Sequence, residues 1–338
     1  MLKSMESMLK CGYLDDVTLG GPAETVARDV AKIVEVGGKL GLNLNCSKCE
    51  VVTHDNFSVT DPYLQSFSSV PIADVSLLGA PLFPGAFLDG VWSKRCADLS
   101  RAVDRLSSIA AQDALILLRA SFGAPKVQHL LRCSPSFQNL ALQSFDDLLK
   151  SAVQKITNSD LSVSQWIQAS LPIKDGGLGI RRVSSLALSA FLASAASTLS
   201  LQGLILEGCC VSDDTHMLEY LEAWSMEFGS LPVPLPSRQS SWDRPGVLLD
   251  KALVESSLSS ASQRATFLAA SAAHSGDWLF AMPISSCGLR VDDETVRVAV
   301  GLRLGLNLCA PHVCRCGVMV DARDLHCYVC KPATWSYQ

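Results

Sequence analysis

The hydrophobic pattern of this 338-residue chain changes character near Pro84. Before that point, apolar residues come in short runs split by turn formers. Leu14, Val17 and Leu19 flank the acidic pair Asp15-Asp16, and Gly20-Gly21 ends the unit, which predicts strand, acidic turn and strand over Cys11–Gly21. Pro22 suits the first position of a following helix, and Glu24 supports the positive end of its dipole. Val26, Val30, Ile33, Val34 and Gly37 recur at helical spacing and give that helix one apolar face, while Gly37, Gly38 and Gly41 loosen its end. Residues Glu50–Thr53 and Val75–Leu78 read as short strands rich in branched side chains.

After Pro84 the period becomes helical. Trp92, Cys96, Leu99, Val103, Leu106 and Ala110 follow a 4-3-4-3-4 spacing, the pattern of an amphipathic helix in a bundle. Further helices are predicted over about residues 113–121, 137–156 and 184–199. A Pro-rich linker at Leu231–Pro236 separates them from a last helical segment and a cysteine-rich end. The expected fold class is α+β: a hairpin, helix and short strands in residues 1–84, a mainly helical region over 85–170 and 171–305, and a compact, metal-sized module in 306–338.

Composition narrows the function classes. An apolar share of 48% is enough to bury a core. Lys and Arg number 28 against 33 Asp and Glu, and the resulting charge of -5 argues against strong nucleic-acid binding by the chain alone. Thirteen cysteines without an opening secretory signal point to free or metal-bound thiols in a reducing, intracellular compartment. The most membrane-like stretch, Val183–Leu206, is interrupted by five serines from Ser184 to Ser197, then by Ser200 and Gln202, so it reads as a buried helix, with no membrane partner expected.

Three groups of residues carry candidate chemistry. Asp15 and Asp16 on a tight turn offer hard oxygen ligands suited to Mg²⁺, although most such pairs are simply polar turns. Near the end, Cys314-Arg315-Cys316 is followed after nine residues by His326, and Cys330 lies one helical turn further on. Two close cysteines and a later His/Cys pair can converge on one tetrahedral Zn²⁺, with Gly317 suiting the turn behind the first pair. Cys327 is a rival ligand, as are Cys309 and His312. Cys46 and Cys49, with His54 beyond them, also have metal-like spacing but lack a fourth ligand nearby. In Leu171–Arg182, the glycines match neither a dinucleotide fingerprint nor a P-loop. Arg181 and Arg182 are expected as solvated arginines on a turn, with contacts to a nucleic-acid backbone as the alternative.

Tyr13-Leu14-Asp15-Asp16, then Gly41-Leu42-Asn43-Leu44-Asn45-Cys46-Ser47-Lys48-Cys49-Glu50, then Leu77-Leu78-Gly79-Ala80-Pro81-Leu82 occur in an order that resembles the reverse transcriptases of non-LTR retrotransposons. The resemblance implies a partial polymerase palm in residues 1–84, a helical thumb in 85–170, a connection region in 171–305 and a zinc knuckle in 306–338. It makes Asp15 a metal-binding carboxylate and Asp16 its neighbour, puts Tyr13 at the primer or template end, and makes Lys48 an acid for the leaving pyrophosphate. Leu78 and Gly79 fall on the strand that supports the primer. A surface lysine and ordinary palm core are the plainer roles for Lys48 and for Leu78 and Gly79. RNA template and DNA primer or target are the implied partners, and nucleus and cytoplasm the implied location; no oligomeric state is implied. The family also needs fingers and a further aspartate upstream of the acidic turn. Only twelve residues precede Tyr13 and none is Asp, so the chain by itself is expected not to polymerise. It is then expected to be a polymerase fragment, a non-catalytic nucleic-acid-binding module, or the product of a decayed element.

Overall fold

A computed structural model describes residues 4–53, 60–206, 215–323 and 325–330. The chain opens with β1 (Leu9–Tyr13) and β2 (Asp16–Gly20), then α1 (Ala23–Lys39), β3 (Glu50–Val51), the one-turn α2 (Pro62–Gln65), β4 (Ser68–Ser69), β5 (Ser76–Leu77) and β6 (Ala80–Pro81). Helices follow: α3 (Ala86–Leu106), α4 (Ala111–Leu117), α5 (Ala124–Cys133), α6 (Ala141–Thr157), α7 (Val163–Ser170) and α8 (Val183–Ile205). After them come α9 (Thr215–Phe228), α10 (Gln239–Ser257), α11 (Ala261–Ala270) and α12 (Asp293–Leu304), before β7 (His312–Val313) and β8 (Met319–Val320). Among the described residues the strands pair only in twos: β1 with β2, β5 with β6 and β7 with β8 antiparallel, β3 with β4 parallel. The protein is therefore mostly helical, α+β with minor sheet content.

The chain divides into two compact units. The first comprises Met1–Asp89, Arg132–Ser136 and Phe191–Gln239. Ala27 and Val30 on the apolar face of α1 pack with Leu64 of α2, and Leu19, Val26 and Phe67 close around them. A buried carboxylate fixes the entry to β1. Asp29 of α1 accepts the backbone N–H groups of Glu6 at 2.9 Å and Ser7 at 2.7 Å, and the Ser7 hydroxyl at 2.6 Å. Burial pushes this carboxyl up, but the Ser7 hydroxyl and the two N–H donors outweigh it, and the group ends below its ordinary value. The helix α1 runs through Gly37 and Gly38 and ends at Lys39, with Gly41 in the left-handed conformation at φ 76° just beyond. The expected strand over Val75–Leu78 stops at Leu77, because Leu78 (φ 50°) and Gly79 (φ 79°) form the turn to β6. Two successive positive φ angles are what a tight hairpin turn requires.

The second unit comprises Gly90–Leu131, Phe137–Ala190 and Ser240–Gln338. As the spacing predicts, α3 buries Trp92, Leu99, Val103 and Leu106. Trp92 meets Phe145 of α6 edge to face, at 6.2 Å between ring centroids. The neighbouring Asp146 reaches across to the start of α8. There it accepts the N–H of Val183 at 2.6 Å and of Ser184 at 3.2 Å, together with the Ser184 hydroxyl. A helix start has N–H groups with no partner inside the helix, and here a side chain from another helix supplies the cap.

The glycine-rich stretch folds into a knot centred on Arg303 of α12. A Cβ at Gly177 would lie 2.0 Å from the Leu171 carbonyl oxygen, so only glycine fits. Leu178 N–H bonds back to the Ala169 carbonyl at 2.9 Å and Gly179 N–H to that of Leu171 at 3.0 Å. Arg303, only 6% exposed, donates to the carbonyls of Gly177 (2.9 Å), Ile173 (2.6 Å) and Ser275 (3.2 Å). Gln168 in turn donates to the Arg303 carbonyl at 2.9 Å. Asp175 takes both oxygens to Arg244 at 2.9 Å. Arg181 binds Asp243 through two bonds of 2.7 and 2.8 Å, and Arg182 binds Asp250. The two arginines are not the solvated pair on a turn: they are half-buried ion-pair partners of α10.

Among the described residues, α8 is the one helix long and apolar enough to cross a membrane by length and composition; 44% of its apolar window is buried within the protein. Val183, Ala190 and Leu192 are fully buried, whereas Leu199, Leu201 and Leu204 are exposed.

Two stability outcomes follow from these contacts. Arg303→Met removes the donors to three carbonyls and is expected to cost roughly 3 kcal/mol, about 1 for each carbonyl left unpaired, read as a lower urea midpoint. At Asp146, burial outweighs the hydrogen bonds and pushes the carboxyl up to about 6 from 3.8. With the folded value above the unfolded one, its contribution is complete below about pH 4 and lost as pH rises through about 6, a swing of about 3 kcal/mol. Asp146→Asn is expected to flatten the urea midpoint across that window; an unchanged slope between pH 4 and 7 would refute the assignment.

Candidate metal centre

The last turn of α12 ends on Gly305, in the left-handed conformation at φ 63°, and Leu306 N–H closes back on the Gly301 carbonyl at 2.8 Å. The chain then enters the β7–β8 hairpin. Gly317, at φ 86°, donates to the Cys314 carbonyl at 2.8 Å, and Cys314 N–H bonds to Val318 at 2.9 Å. That tight turn carries Cys314 and Cys316. His326 stands on the single helical turn Leu325–Tyr328, and Cys330 follows at its end.

These four residues converge. Cys316 Sγ lies 3.1 Å from His326 Nε2, and Cys314 Sγ lies 3.5 Å from Cys330 Sγ. All four ligand atoms fall within 4.8 Å of one another, and all four residues are half-buried. A tetrahedral ion with metal–sulfur bonds of about 2.3 Å has corners about 3.8 Å apart, so the cluster has the size to hold a metal such as zinc. Its electrostatics point the same way. A hydrogen bond from the Cys316 backbone, then one from the Cys330 thiol, pulls Cys314 down to about 6. Burial, then the Cys314 and Cys316 sulfurs, push Cys330 up to about 11. One thiolate forms readily, and a second beside it needs a cation.

The rival ligands are elsewhere. Cys309 Sγ faces the Asp321 carbonyl at 3.5 Å, and His312 Nδ1 faces that of Ala310 at 3.1 Å. The Cys327 side chain and His54 lie outside the described residues. Cys46 and Cys49 join no larger ligand group among the described residues; Cys49 Sγ bonds to the Asn45 carbonyl, and burial and Cys46 raise its thiol.

The residues singled out near the amino terminus do not form a comparable centre. Tyr13 pairs with Asp16 across the hairpin, and Leu14 and Asp15 make its two-residue turn. Tyr13, Asp15 and Asp16 are exposed, and Leu14 is 90% exposed with φ 54°. Lys48 ends the short turn Cys46–Lys48 and is also exposed, while Leu78 and Gly79 occupy the β5–β6 turn instead of a strand. Among the described residues, no third metal-capable side chain joins Asp15 and Asp16, and no magnesium site is formed.

Sequence reasoning missed what supports the metal cluster. Leu308 and Cys309 N–H groups both donate to the Ala322 carbonyl, at 2.7 and 3.0 Å, between the two ligand pairs. Gly301 makes room for the Leu308 side chain. A glycine inside an otherwise helical pattern was the available signal.

Cys314→Ser and Cys316→Ser are each expected to reduce zinc uptake from near one equivalent to near none, measured with a colorimetric chelator after metal stripping. Full uptake by both variants would remove the assignment. No protein-family model matches the chain, and no curated protein is significantly similar to it.

Proposed function

We propose that the chain is part of a reverse transcriptase of the non-LTR retrotransposon type. In this reading it holds a segment of an RNA-directed DNA polymerase palm, then helical thumb and connection regions and a zinc knuckle. RNA template and DNA primer or target are its partners. One observation carries the proposal: Tyr13-Leu14-Asp15-Asp16 forms a hairpin tip that holds Leu14 at φ 54° and leaves two adjacent carboxylates exposed. A leucine in that conformation costs about 1–3 kcal/mol, and such strain gathers where a turn has a task beyond connecting strands.

On this reading Asp15 and Asp16 present hard oxygen ligands to Mg²⁺, and Tyr13 stands beside them at the primer or template end. Magnesium ions bound in such a site hold the incoming phosphates and polarise the attacking hydroxyl. Lys48 offers a proton to the departing pyrophosphate, and Leu78 and Gly79 contact the primer. Cys314, Cys316, His326 and Cys330 form the zinc knuckle. Two carboxylates on one turn do not fix two metals in line, and no third joins them among the described residues. The chain alone is therefore expected not to extend a primer.

A second reading, a non-catalytic module that holds RNA or DNA, is favoured by the completeness of the Cys₃His cluster, whereas the acidic turn gathers no third ligand among the described residues. It expects template binding that persists in Asp15→Asn and weakens on zinc removal.

Iron(II) replacing magnesium, with ascorbate and peroxide, cleaves a backbone beside its binding site. With a primed RNA template bound, cleavage is expected around Asp15 and Asp16 and is expected to disappear in Asp15→Asn. Absent or uniform cleavage at saturating template would sink the polymerase reading, and Asp15-dependent primer extension by the chain alone would refute its inactivity.

A further inference from the structure

We propose that the metal centre and the Arg303 knot are energetically coupled through one contact, Leu308 against Gly301, which makes these two positioning residues for the metal ligands. The proposal rests on the Cys₃His cluster binding metal, which the cysteine variants test separately.

The contact is unusually close. Gly301 lies in the last turn of α12, where a Cβ would stand 2.2 Å from Leu308 Cδ2 and 3.1 Å from its Cγ. Glycine inside a helix costs about 0.5–1 kcal/mol relative to alanine, so the bare backbone here serves the approach of Leu308 and not the helix. The Leu308 side chain rests on the helix while its N–H, with that of Cys309, holds the Ala322 carbonyl. Ala322 lies in the segment that joins Cys316 to His326. Leu308 therefore fixes the span between the two ligand pairs against α12.

The same helical turn works on its other side. Arg303, two residues beyond Gly301, donates to Gly177 and Ile173. A metal that rigidifies the ligand span thus steadies Leu308, the end of α12 and the knot together. Coupling of this kind is reciprocal: what loosens the Leu308 contact lowers metal affinity by the factor with which metal tightens that contact.

The test uses the full chain. Zinc affinity by competition with a chromophoric chelator is expected to fall about tenfold in Gly301→Ala and in Leu308→Ala. The double variant is expected to be little worse than the weaker single, because both changes cut one contact. Hydrogen exchange supplies a second readout that needs no folding-sensitive substitution at Gly301. In the parent, zinc is expected to slow exchange of the Leu178 and Gly179 amides several-fold, and in Leu308→Ala that slowing is expected to vanish. Zinc affinities within twofold of the parent in both single variants, or amide exchange indifferent to zinc in the parent, would overturn the proposal. Failure of the parent to take up zinc would instead remove the metal centre itself.

Discussion

The second unit depends on a cation that has no anion beside it among the described residues. Arg303 is buried against the carbonyls of Gly177, Ile173 and Ser275, and their dipoles take the place of water. An isolated buried charge costs several kcal/mol unless its donors are satisfied, so the loop must bring carbonyl oxygens to the guanidinium at short range. Gly177 allows this because any side chain there would collide with the Leu171 carbonyl. Once closed, the loop presents Asp175, Arg181 and Arg182 to Arg244, Asp243 and Asp250 of α10. The consequence reaches the charge balance. Arg181, Arg182 and Arg303 are committed inside the fold, so the basic groups left for a polyanion are fewer than 28 Lys and Arg suggest.

What the sequence made legible was periodic or closely spaced. The helical faces of Trp92–Leu106 and Val26–Gly37, the acidic hairpin and the Cys₃His spacing are each encoded within about 20 residues, where local geometry decides. The partners of Arg181 and Arg182 lie more than 60 residues away on α10, and no local rule selects them. The cap on α8 comes from Asp146, 37 residues upstream, which a search for Ser, Thr, Asp or Asn just before the helix cannot find. The short strands were overcounted in length because branched residues signal extended backbone without saying whether a partner strand exists.

The two candidate sites differ in what completes them. The cysteine and histidine ligands come from one short span, so hairpin, turn and helix end suffice to gather them, and burial, with the neighbouring sulfurs, makes a further thiolate there costly without a cation. The carboxylates at Asp15 and Asp16 sit on a strained, exposed tip and gather nothing further among the described residues. Soft sulfur and nitrogen donors suit zinc, while paired oxygens suit magnesium with water or phosphate filling the remaining positions.

Two buried carboxyls give the units opposite responses to acid. Asp29, in the first unit, lies below its ordinary value because Ser7 and the backbone of Glu6 overcome its burial. Its stabilisation is therefore complete above the ordinary carboxylate range and is lost as pH falls through the depressed folded value. Asp146, in the second unit, sits at about 6 because burial dominates, so protonation relieves it as pH falls from neutral. Between about pH 6 and 4 the second unit gains from this group while Asp29 is still ionised, and below that range the first unit loses this anchor. That anchor ties the segment before β1 to α1, and an isolated two-stranded hairpin is marginal in water. Acid therefore frees the entry to β1 only below the ordinary carboxylate range, where the depressed Asp29 takes up its proton.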